Sequence, residues 1–191
     1  MQTPPEAPAL HAERRRFHTM DWMQQLGSML QNYATGSADH RAAEQDFDHV
    51  AQHAPRDTVA SGIAEAFRSN QTAPFPNMLS QLFSNSSGDQ RATVLNSLVT
   101  TLGPAVIARV MGKHGVSTAN PVGQGPIRPD EAEHVPPAAV EELAAEAERK
   151  DPSVMDRISH FYADQPKIVK TLGGLALAVA MAKVAQSQTR G

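Results

Sequence analysis

"TLGGLALAVAMAKVAQ", residues 171–186, is the least polar stretch of the chain, and its reading decides the architecture. Pro166 is expected to open the final helix that contains it. At about 100° per residue, Ile168, Leu172, Leu175 and Val179 form one broad stripe, and Leu177, Met181 and Val184 lie on the opposite side. Gly174, Ala178 and Ala182 make a third strip of small residues at i, i+4 and i+8. A helix that is apolar all round is buried on all sides or sits in lipid. Between Lys170 and Lys183 lie twelve residues. At ~1.5 Å each they span about 18 Å, well short of a hydrocarbon core about 30 Å thick. Counting from Ile168 to Ala185 gives about 27 Å, provided both lysines reach out to the interface. Two adjacent glycines, Gly173 and Gly174, cost roughly 1 kcal/mol each against Ala in a helix, which makes sense where a second backbone comes close. The first reading is a central helix of the protein's own core, the second an interface between copies, the third membrane contact. The residues expected at that core or interface are Leu172, Gly173, Gly174, Leu175, Ala178, Val179 and Ala182.

Outward from this segment, helical spacing recurs and strand alternation does not. Trp22, Leu26, Met29 and Tyr33 share one face. Phe47, Val50, Ala51 and Ala54 make the next, and Val59, Ile63 and Phe67 follow after Pro55. Pro76 is placed to open "NMLSQLF", and Asp89 to cap "QRATVLNSLVTTL". Gly103 and Pro104 separate that helix from "AVIARVMGK". Pro129 and Pro137 each start a further helix, and Asp151 and Pro152 precede "SVMDRISHFYAD". The expected fold is all-α, a bundle of roughly eight or nine mostly short helices. Residues 1–19 are expected to be a disordered leader, with Met20 as the natural start. Residues 20–113 form a helical domain, 114–128 ("HGVSTANPVGQGPIR") a linker or long loop, 129–186 a C-terminal helical region and 187–191 a polar tail.

The 191 residues are 40% hydrophobic, 5% aromatic and 19% charged, enough for a real core. With no cysteine, disulfides, zinc–thiolate sites and cysteine nucleophiles are excluded. That absence fits a reducing, cytoplasmic setting. A net charge of −3 gives no reason to expect nucleic acid as partner. The charge is uneven: residues 128–166 hold ten acids against four bases, while residues 167–191 hold Lys167, Lys170, Lys183 and Arg190 and no acid. Mutual neutralisation of these two segments is the simpler expectation; a basic end meeting an anionic membrane is the sharper one.

Two constellations invite a chemical reading. Asp46, His49 and His53 form D-x-x-H-x-x-x-H on one helix, with His40 and Glu44 upstream, a spacing that suits a divalent metal. They fall opposite the Phe47/Val50 face, where a metal has no dry surround, so a solvated polar face is the better reading. Asp156, His160 and Asp164 repeat the pattern at i, i+4 and i+8; with no nucleophile to assign, helix-surface pairing is preferred over acid–base work. Gly112-Lys113 lacks the Ser/Thr and the first Gly of a phosphate loop. No catalytic residue, cofactor or small-molecule substrate is expected.

Three stretches together, "FDHVAQHAPRDTVASGIAEAFRS" with "PNMLSQLFSNSSGDQRATVLNSLV", "RPDEAEHVPPAAVEELAAEAERKDPSVMDRISHFYADQP" and "KIVKTLGGLALAVAMAK", resemble the YidB-like class of small bacterial proteins, a family of unknown function built of short helices with Gln/Gly/Ser-rich turns. The similarity covers roughly residues 20–186, without the loop 114–128. It implies a bacterial, all-helical protein and carries over no activity or site residue. The expected function is therefore non-enzymatic binding, with the protein itself or another protein as partner. A peripheral membrane protein using the apolar, basic C-terminal helix is the alternative, and a metal protein built on Asp46, His49 and His53 comes third.

Overall fold

Proline and glycine set most of the element boundaries. The computed structural model describes residues 27–33, 35, 42–117, 122 and 124–188. The leader, Met20, Trp22, Leu26, His40 and the end of the tail lie outside the described residues. Among the described residues the chain is all-α, without a strand, and holds eleven α-helices and one 3-10 turn rather than eight or nine. They are α1 (27–33), α2 (Ala43–His53), α3 (Arg56–Arg68), α4 (Phe75–Ser84), α5 (Gly88–Leu102), α6 (Pro104–Lys113), α7 (Pro129–Glu133), α8 (Pro137–Lys150), α9 (Val154–Tyr162), α10 (Pro166–Val169), a 3-10 turn (Lys170–Leu172) and α11 (Gly174–Gln188). Proline stands in the first turn of α4, α6, α7, α8 and α10, where its missing N–H costs nothing.

The extra elements come from short pieces. The final helix does not run unbroken from Pro166. Gly173, at φ 86° and ψ 166°, stops it, and the segments Pro166–Leu172 and Gly174–Ser187 meet at 118°. The expected cap of α5 is also corrected. Ser87, not Asp89, is the N-cap: its hydroxyl accepts from the Gln90 N–H while the Gln90 side chain accepts from the Ser87 N–H, a reciprocal capping box. Asp89 sits in the first turn beside it.

Helix α3 is the hub. It packs against α11 on one side and α9 on another, while α4 lies on α8 and α5 on α7 and α8. Phe47, Ile63, Leu82, Leu95, Leu143 and Met181 belong to one contiguous apolar cluster drawn from both sides of residues 114–128. Where α3 and α11 cross, Gly62 is essential to the distance: a Cβ built there stands 2.7 Å from the Ala180 carbonyl oxygen.

Half-buried and buried polar groups hold the helix junctions. Arg91 donates to the carbonyl oxygens of Phe83 and Ser84 at the end of α4 and of Ser86 just beyond it, and lies 5.1 Å from the Phe83 ring centre. Asn96 of α5 takes both backbone groups of Ile127, at 3.0 and 2.8 Å, pinning the chain just before α7. Ser86 donates to the Leu82 carbonyl, so its oxygen accepts from the Tyr162 hydroxyl at 3.1 Å. Burial, opposed by the Ser86 hydrogen bond and the nearby Arg91 charge, pushes that phenol up to about 12.

Candidate interaction surface

Burial of α11 is one-sided. Leu177 and Met181 are fully buried, and Ala176, Ala180, Val184 and Ala185 nearly so; α11 packs mainly against α3 and then α2. The residues singled out from the sequence lie on the other side. Ala178, Val179 and Ala182 are half-buried, as are Leu172, Gly173 and Gly174 at the bend. Leu175 is 44% exposed, the one large hydrophobic among the described residues that stands in the open. On α11, Leu177, Met181 and Val184 thus face inward, while Leu175 stands outward with Ala178, Val179 and Ala182 beside it, half-buried against the edge of the core; Leu172 lies before the bend and is packed against the core as well. The helical periodicity drew both sides; what it missed was Gly62, whose bare backbone admits α11 and thereby selects the inward face.

The rim of the strip is charged but paired. Lys183 Nζ lies 3.3 Å from Glu65 of α3, and Lys170 Nζ donates to Asp48 of α2 at 2.5 Å. These cations are neutralised from α2 and α3, not from residues 128–166 as expected. Gln81 of α4 donates to the Thr171 carbonyl and ties down the turn before the bend.

The other sequence candidates do not form sites. Asp46 accepts from the Tyr33 hydroxyl at 2.7 Å. His53 Nδ1 is bonded to the His49 carbonyl at 2.7 Å, and the two imidazoles stack 6.1 Å apart. Among the described residues no three His, Asp or Glu side chains are grouped to hold a metal ion. Asp156, His160 and Asp164 pair across to α3: Arg68–Asp156 at 2.6 Å, Asp57–His160 at 3.7 Å and Arg56–Asp164 at 2.7 Å. Glu142 of α8 accepts from Lys113 and His114, and these hydrogen bonds hold its carboxyl below the ordinary value. Among the described residues, a groove beside α6 is lined by Pro104, Ala105, Ala108, Met111, Val116, Ser117 and Val122, with no acid or base among them.

Compared with protein-family models, curated proteins and solved structures, the chain matches none.

Proposed function

We propose that this is a non-enzymatic helical binding protein whose partner is a second copy of itself, docking on the outward strip of α11. The observation that carries this reading is the exposure of Leu175 at the head of an otherwise uncharged apolar strip. A large side chain left in water on such a strip is what an interface would cover. The pairing of Lys170 and Lys183 with Asp48 and Glu65 favours a protein partner over an anionic membrane, because it spends much of the positive charge that lipid headgroups would attract. No single helix among the described residues is long and apolar enough to cross a membrane; only the bent pair Pro166–Leu172 and Gly174–Ser187 together has the length and composition. Placement in the YidB-like class and in the cytoplasm belongs to the same proposal, on the helix patterning and the cysteine-free composition.

Light scattering over a concentration series tests it. The chain is expected to pass from the mass of one copy to that of two. Leu175→Glu should raise the dissociation constant at least about 30-fold, since each copy loses about 1 kcal/mol of apolar burial and the loss is counted twice. A single-copy mass at every concentration overturns the reading. Flotation with anionic vesicles that Leu175→Glu abolishes would put lipid in the partner's place.

A further inference from the structure

We draw no further inference here: the strongest candidate, the apolar groove between α6 and the segment that follows it, lined by Pro104, Ala105, Ala108, Met111, Val116 and Val122, carries nothing because nothing in the structure shows what covers it.

Discussion

Gly62 has two reasons to be compared with alanine, and they oppose each other. Alanine is the better helix former by roughly 1 kcal/mol, yet the Cβ would stand 2.7 Å from the Ala180 carbonyl oxygen and 3.0 Å from Val184 Cγ2. The oxygen belongs to a helix backbone that cannot swing aside, so α11 must shift, and overpacking of this kind costs about 1–3 kcal/mol. Gly62→Ala is therefore expected to lower the urea midpoint. Gly112 makes the contrast: it is exposed in α6, and a Cβ there meets nothing within 4 Å. Gly112→Ala is expected to leave stability unchanged or raise it by up to about 1 kcal/mol. Two Gly→Ala changes of the same sign would show that close approach at the α3–α11 crossing is not what selects glycine.

Among the elements, the last helix shows what a sequence does and does not disclose. Gly103 and Gly173 adopt nearly the same backbone, φ 87° and ψ 157° against φ 86° and ψ 166°, and each ends one helical segment and begins another. The break at Gly103 is legible because Pro104 follows it and can only start a new helix. The break at Gly173 is hidden because apolar spacing runs straight through it. Pro-initiated α4, α7, α8 and α10 were readable for the first reason, and the α10–α11 bend was missed for the second. The strip was legible as a row of residues, but its outward direction was not, since that depends on how closely α3 approaches. This region of φ and ψ is open almost only to glycine. Gly173→Ala should therefore cost about 1–3 kcal/mol although open space surrounds the position. Gly173→Asn should be no better, because the αL allowance for Asn does not extend to ψ near 180°. An unchanged thermal midpoint for Gly173→Ala would mean that the bend is not held in this conformation.

Across the whole molecule, the surface pairs that join helices distant in sequence, such as Arg56–Asp164 and Arg68–Asp156, are about half exposed and each contributes little. The helices are held together mainly by apolar burial, and among the described residues Ser86 of the α4–α5 turn and Tyr162 of α9 form a buried hydroxyl pair. Nothing in the sequence announced that pair: Ser86 reads as one more turn residue in "SNSSGD", and only the fold brings it to α9. The Tyr162 phenol has a folded-state value near 12, above its ordinary 10. Its contribution is thus complete below about pH 10 and is lost as the pH rises towards 12. Tyr162→Phe keeps the ring and removes the titrating group, while Ser86 still donates to Leu82. At neutral pH the variant should be about 1 kcal/mol less stable, the worth of one buried hydrogen bond. Between pH 10 and 12 the unaltered protein should lose that advantage, because lysine deprotonation weakens both proteins alike and only the phenol differs. Urea midpoints at pH 7.5 and 11.5 read the difference directly. A gap that stays constant across that range would mean water reaches the phenol, and that α9 does not close over the α4–α5 turn as tightly as the buried Ser86–Tyr162 pair requires.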